Sequence, residues 1–293
     1  MKRSLERLQR FMRKPVRRQL LALRIRSWCL WKRCAPGIPY PLRLPYGGWW
    51  FAVNDVCSDA IVAGTFEEPE SRFVENVLHE GMVVLDIGAH HGFYTILAAK
   101  KVGALGHVSA FEPSLRERRR LLTHLRLNRC KNVRVEPVAL ASEDGESTLF
   151  VVDGRDTGCN SLRPPAVDEP THGVAVKTIK LDTYVTSLGL RRVDFIKIDA
   201  EGAELEILEG ARSVLRRMRP AILFECDDRR TEPWGYSSRR VLELLESERY
   251  SFFGLNRRGD LVPVSEREGY NFVATPMERV GSKCTVRQAA GND

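Results

Sequence analysis

Short apolar runs alternate with longer stretches of three-and-four spacing through the middle of the chain. The run at 83–87, with Val83, Val84, Leu85 and Ile87, is too brief for a helix and rich in β-branched residues, so it predicts a buried parallel strand ended by Gly88. A helical pattern follows at 94–102, a second strand at 107–111, a helix at 114–128 and a third strand at 133–140. After an interruption the alternation resumes with a buried strand at 193–198, a helix at 203–217, a strand at 221–226 and a helix at 237–248. Strands and helices of these lengths in alternation mean βαβ units, hence an α/β fold with a mainly parallel sheet and helices on both faces. Two last strands, 250–255 and 270–275, have no helical segment between them and predict a terminal antiparallel pair.

The interruption exceeds any ordinary crossover. Its alternating stretches 147–152 and 174–181 predict an added hairpin, and 154–173, with Pro164, Pro165 and Pro170, predicts a loop over the sheet edge, where functional lids are often built. Ahead of the sheet, Glu67, Glu68 and Glu70 around Pro69 mark a helix start. Pro36, Pro39, Pro41 and Pro45 mark a linker, and Pro15 interrupts an otherwise amphipathic helix. The pattern divides the chain into an arm and linker (1–46), a main domain (47–280) carrying the inserted hairpin and loop (147–181), and a tail (281–293).

Charge changes this picture at one end only. Residues 1–33 hold twelve Lys or Arg against Glu6, a net of +11, so the formal +8 of the whole chain leaves −3 on the other 260 residues. A nearly neutral main domain speaks against a nucleic-acid partner. The basic arm can lie on an anionic membrane surface or pack on the domain with its charges solvated, and both readings stay open. Seven cysteines without a C-x-x-C pair argue against a disulfide framework and a zinc site. No apolar stretch has the length of a signal-peptide core or a membrane span, and the chain reads as cytosolic.

Candidate chemistry gathers where strands end. The segment Asp86-Ile87-Gly88-Ala89-His90-His91-Gly92 joins a strand to a helix through a glycine turn, and Gly88 and Gly92 would let backbone approach a ligand. A glycine turn that only packs strand on helix would look the same. A dinucleotide site spaces its glycines G-x-G-x-x-G; here the spacing is G-x-x-x-G with Asp86 just ahead. That acid is unfavourable beside a pyrophosphate and suits the ammonium and sulfonium of S-adenosylmethionine. Glu112 ends the second strand, where an acid reaches both hydroxyls of a nucleoside ribose, and Ala139 at the end of the third would face the base. Asp199 and Glu201 follow the fourth strand, with Lys197 beside them as a strand residue paired with an acid. An alcohol acceptor needs a proton acceptor, and His90, His91, Asp199, Glu201 and Glu225 are the candidates, with Asp199 foremost. A variant keeps Asp199 and Glu225 as ligands of a divalent metal such as Mg²⁺.

The strings DIGAHHGFYT, FEP at 111–113, N-V-x-V at 132–135 and, most specifically, DFIKIDAEGAELEILEGA at 194–211 resemble the FkbM family of methyltransferases over roughly residues 55–275. The resemblance implies a Rossmann-like class I methyltransferase fold with a seven-stranded sheet, S-adenosyl-L-methionine as methyl donor, S-adenosyl-L-homocysteine as product, and transfer to a hydroxyl of a glycan, glycolipid or natural product. Carried onto this chain, Asp86, Gly88 and Gly92 would hold the methionine end, with Ala89 and His90 in the same turn, and Glu112 the ribose. His90 and His91 stand where many relatives have Asn and a small or polar residue, so either could shape the pocket instead of moving a proton. Two other functions fit the residue pattern: a nicotinamide-dependent oxidoreductase on the same fold, and a non-catalytic nucleoside-binding protein.

Overall fold

A computed structural model describes residues 2–266 and 270–280, with side chains from 18 to 265 and 270 to 279; the tail expected at 281–293 lies outside them. The chain forms two compact units that divide between Glu67 and Glu68. In the first, helix α1 (Lys2–Cys34) runs through Pro15 without a break, correcting the expected interruption. Proline removes one N–H from the ladder, and the remaining bonds of so long a helix hold its course. The stretch expected as linker carries strand β1 (Tyr40–Arg43), which pairs antiparallel with β2 (Trp49–Ala52). Helix α2 (Val56–Ala63) follows, capped by Asp55 accepting from the Ser58 N–H at 2.6 Å. Asp59 on α2 accepts from Trp28 Nε1 at 2.6 Å and Lys32 Nζ at 2.7 Å, which ties α1 to α2. These contacts place residues 47–63 with the N-terminal helix, whereas sequence alone joined them to the main domain.

The second unit opens with α3 (Glu68–Val77) and then β3 (Val83–Ile87), α4 (Phe93–Val102), β4 (His107–Phe111), α5 (Leu115–Leu127) and β5 (Val133–Glu136). The third strand expected at 133–140 splits. Pro137 has no N–H to continue a ladder, and the chain leaves the main sheet to form β6 (Ala139–Leu140) in a separate three-stranded sheet with the hairpin β7 (Gly145–Val152) and β8 (Thr171–Ile179). Helix α6 (Leu181–Ser187), which sequence reasoning missed, leads into β9 (Phe195–Ile198). The helix expected at 203–217 is two, α7 (Glu204–Glu209) and α8 (Arg212–Arg217), because Asp182 accepts the N–H groups of Ser213 and Val214 at 2.8 and 2.9 Å and starts α8 afresh. Then come β10 (Ala221–Glu225), α9 (Asp228–Thr231), α10 (Ser238–Ser247), β11 (Tyr250–Leu255), β12 (Leu261–Val262), β13 (Asn271–Pro276) and α11 (Met277–Val280).

The main sheet runs β12-β11-β13-β10-β9-β3-β4-β5, parallel from β10 to β5 and antiparallel among β10, β13, β11 and β12. Among the described residues it has eight strands where seven were expected, the extra one being the two-residue edge strand β12. Strand order reverses at β3, whose neighbours are β4 and β9. A crevice opens outside the carboxyl ends at such a reversal. Leu85, Ile196, Ile222 and Phe224 stand in the core beside this edge, each sealed from solvent. Burying one such side chain contributes about 1.5–3 kcal/mol, which holds the strand ends rigidly enough to aim the residues that follow them.

Candidate active site

A cavity lies at the ends of β3, β4 and β9. Gly88, His90, Glu112, Ala139, Asp199 and Glu201 all line it, brought together from four separate stretches of chain. Asp86, Ala89, His91 and Gly92, also read from sequence as site residues, do not.

The glycine turn and Glu112 meet directly. His90 adopts a left-handed φ of 47°, which turns its N–H to donate to Glu112 Oε2 at 2.8 Å, while the Ser114 N–H donates to Oε1 at 2.9 Å. Burial outweighs these two bonds and pushes the Glu112 carboxyl up to about 8. Protonated, the carboxyl accepts both N–H groups and still offers its O–H and a lone pair to a ligand's hydroxyls. A Cβ on Gly88, at φ +78°, would lie 1.8 Å from the Asp199 carbonyl oxygen. Gly88 therefore lets β3 and β9 close on each other as well as lining the cavity. A Cβ on Gly92 would meet Leu121 Cδ1 at 2.4 Å, so that glycine makes room for α5 and not for a ligand.

Behind this wall stand the residues that the cavity does not reach. Asp86 is buried and accepts from Thr95 Oγ1 at 2.5 Å, and burial raises its pKa to about 6. The Ala89 N–H donates to the Phe111 carbonyl at 3.0 Å. His91 is sealed against α5, with Nε2 2.9 Å from Glu117 Oε2 and its ring stacked on His90 at 3.6 Å. Burial pushes the Glu117 carboxyl up, but the hydrogen bonds from His91 and Arg116 prevail and hold it at about 2. A proton acceptor must touch the reacting hydroxyl. The catalytic role read for His91 is therefore corrected: it packs and fixes the turn from behind.

At the end of β9, Lys197 is buried and donates to Asp199 Oδ2 at 3.1 Å. Burial would raise the Asp199 pKa, but the Lys197 ammonium, helped by Arg230, holds it below the ordinary carboxylate range. Glu201, at φ 54°, precedes Gly202, at φ +96°, and this double left-handed turn brings the Arg230 carbonyl to where a Cβ on Gly202 would be 2.2 Å away. The Arg230 guanidinium then pairs with Glu201 and, through Nε at 3.2 Å, with Glu225. Ligand atoms of Asp199, Glu201 and Glu225 lie within 4.8 Å of one another, close enough in principle for a metal. Their charge is already answered by Lys197 and Arg230, so the donor set fits a cation supplied by the protein better than a divalent ion.

The loop between β7 and β8 supplies the residues that sequence reasoning foresaw as a lid without naming. Thr157, Gly158, Asn160, Ser161 and Leu162 line the cavity. Thr157 Oγ1 lies 3.0 Å from His90 Nε2, Asn160 Nδ2 donates to Glu117 Oε1 at 3.2 Å, and Ser161 Oγ donates to the Glu201 carbonyl at 2.9 Å. Ser161 and Glu201 also line a second, larger cavity that Arg163, Arg230 and Trp234 help to wall. Two cavities thus meet at Ser161 and Glu201.

The reversal of strand order at β3, the acid ending β4 and the antiparallel strand pair beyond β10 define a Rossmann-like protein of the class I methyltransferase kind. The methyltransferase FkbM domain matches residues 86–252, more than half of the chain, and the chain belongs to that family. It is 26% identical over 143 residues to Methyltransferase 1 of Beauveria bassiana, covering 43% of this chain and 57% of that protein. It is also 26% identical over 189 residues to AMB antimetabolite synthetase AmbE of Pseudomonas aeruginosa, covering 53% of this chain but only 9% of the synthetase. The chain thus matches less than two thirds of the length of either relative. A solved FkbM methyltransferase from Methylobacillus flagellatus aligns over 74% of this chain and 52% of its own at 16% identity, with a TM-score of 0.44.

Proposed function

We propose that this protein is an S-adenosylmethionine-dependent methyltransferase that methylates a hydroxyl, most in keeping with a glycan, glycolipid or natural-product acceptor. The observation that carries the reading is the meeting of the glycine turn with Glu112, sealed by the His90 N–H bond, at one wall of the first cavity. Glu112 would hold the ribose hydroxyls, Ala139 and its apolar neighbours the base, and the end of the turn at Gly88 the remainder, opposite Asp199. Bound there, S-adenosylmethionine supplies a methyl carbon already activated by its sulfonium.

The chain's part is position and proton. The second cavity would seat the acceptor, and its junction with the first at Ser161 and Glu201 is where a hydroxyl would be presented. As a C–O bond forms, the hydroxyl proton becomes strongly acidic, so a carboxylate held ionised can accept it without being a strong base. Asp199, kept charged by Lys197 and half-exposed on the cavity, fits that task. Glu201, clamped by Arg230, is better suited to hold the junction in shape. No divalent ion is needed in this scheme.

Isothermal titration with S-adenosylhomocysteine and with NAD tests the assignment against an oxidoreductase. Micromolar binding of the first that survives EDTA, with none of the second, is the expected outcome. Preference for NAD would overturn the assignment, and a dialysis-reversible loss of turnover in EDTA would restore the metal.

A further inference from the structure

Helix α1 in the first unit has two unlike sides. Leu21, Trp28, Trp31 and Lys32 are buried or half-buried, and Trp28 and Trp31 each pack on Tyr40 at 5.5 Å between ring centres. On the other side Leu20, Leu23 and Leu30 are 61%, 59% and 62% exposed. With Ser27 between them they stand three and four residues apart, so they form one stripe along the helix. Scattered single leucines on a surface need no explanation, but an aligned stripe does.

The stripe continues as a sequence pattern. Leu5, Leu8, Met12 and Val16 precede Leu20 at the same three-and-four spacing, and all belong to the single helix Lys2–Cys34. Arg26 and Arg33, each three residues beyond a stripe leucine, are exposed at its flank. Residues 1–33 carry their net +11 with Glu6 as the one acid. A second copy of so cationic a helix would be repelled, and nucleic acid would answer the charge while leaving the leucines in water. An anionic bilayer answers both, taking the leucines below its headgroups and leaving the arginines among its phosphates. Among the described residues no helix is apolar enough to cross a membrane.

We infer that α1 is an interfacial anchor that lies along the surface of a membrane rich in anionic lipid. This inference does not depend on the methyltransferase reading. It is tested with the full chain by flotation with vesicles of phosphatidylglycerol and phosphatidylcholine, against vesicles of phosphatidylcholine alone. The protein should float with the first, remain at the bottom with the second, and lose most of its binding in high salt. The triple variant Leu20→Ser, Leu23→Ser, Leu30→Ser should bind at least about a hundredfold more weakly, since each leucine forfeits burial in the acyl region. Circular dichroism matching the parent checks that it folds, and Arg26→Gln with Arg33→Gln, which spares the leucines, should weaken binding by a smaller factor. Equal flotation on neutral vesicles, or a folded leucine variant that binds like the parent, would overturn the inference. So would failure to float together with tight binding of a generic duplex RNA, or with self-association that the leucine variant abolishes.

Discussion

Glu112 and Asp199 stand on the same edge of the same sheet, each closing a strand beside β3, yet their neighbours drive their charge in opposite ways. Glu112 meets neutral backbone N–H groups, with the Glu117 carboxylate and the Arg118 guanidinium further off, and burial pushes its carboxyl up to about 8. Asp199 meets the buried ammonium of Lys197 and, further off, Arg230, and stays below the ordinary range. A buried acid keeps its charge only where the fold also buries a cation beside it. The protein thus offers a proton-bearing wall on the Glu112 side of its cavity and a charged wall where chemistry is proposed.

The most severe way to break this contrast is to force the two walls apart. Gly88→Ala puts a methyl group 1.8 Å from the Asp199 carbonyl in a left-handed conformation. We expect a loss of about 3–5 kcal/mol in urea unfolding and no measurable S-adenosylhomocysteine binding. A variant as stable as the parent would show that the strand ends can separate freely.

Removing the cation should make Asp199 resemble Glu112. Lys197→Met leaves Asp199 without the ammonium that keeps it charged, and a cost of about 3 kcal/mol at neutral pH is expected. In the parent, the depressed pKa contributes stability that is present above the unfolded value and lost as pH falls through the folded one. In the variant the Asp199 pKa rises, so its contribution should instead decline with rising pH, and the acid limb of the activity profile should move upward. An unmoved limb in a folded variant would remove Asp199 from the proton step.

Glu112→Gln sharpens the other half. With a folded pKa of about 8 above an unfolded value near 4.5, Glu112 favours the folded state fully below pH 4.5, and that contribution is lost as pH rises to about 8. The parent should therefore lose stability across this window, by less than about 1.4 kcal/mol per pH unit. The glutamine variant should show a shallower slope, since Asp86 still titrates near 6, which urea midpoints between pH 4.5 and 8.5 would show, and should bind S-adenosylhomocysteine about tenfold more weakly. Identical slopes would place the titration elsewhere.

Much of this was legible in the residues before any coordinates. Strands and helices announce themselves through local periodicity, the acid ending β4 follows from its place after an apolar run, and the pairing of Lys197 with an acid joins residues two apart. Side-chain direction in the glycine turn was not legible, because the left-handed φ of His90 sends His90 to the cavity and leaves His91 sealed behind it on Glu117. Nor were the partners that arrive from far along the chain: Thr157 on His90, Asn160 on Glu117, and Arg230 between Glu201 and Glu225. Periodicity reports which face of an element is apolar. It carries nothing about which distant loop will close on that face, since that contact exists only once the sheet has brought the strand ends together, and there the charge state of each acid is decided.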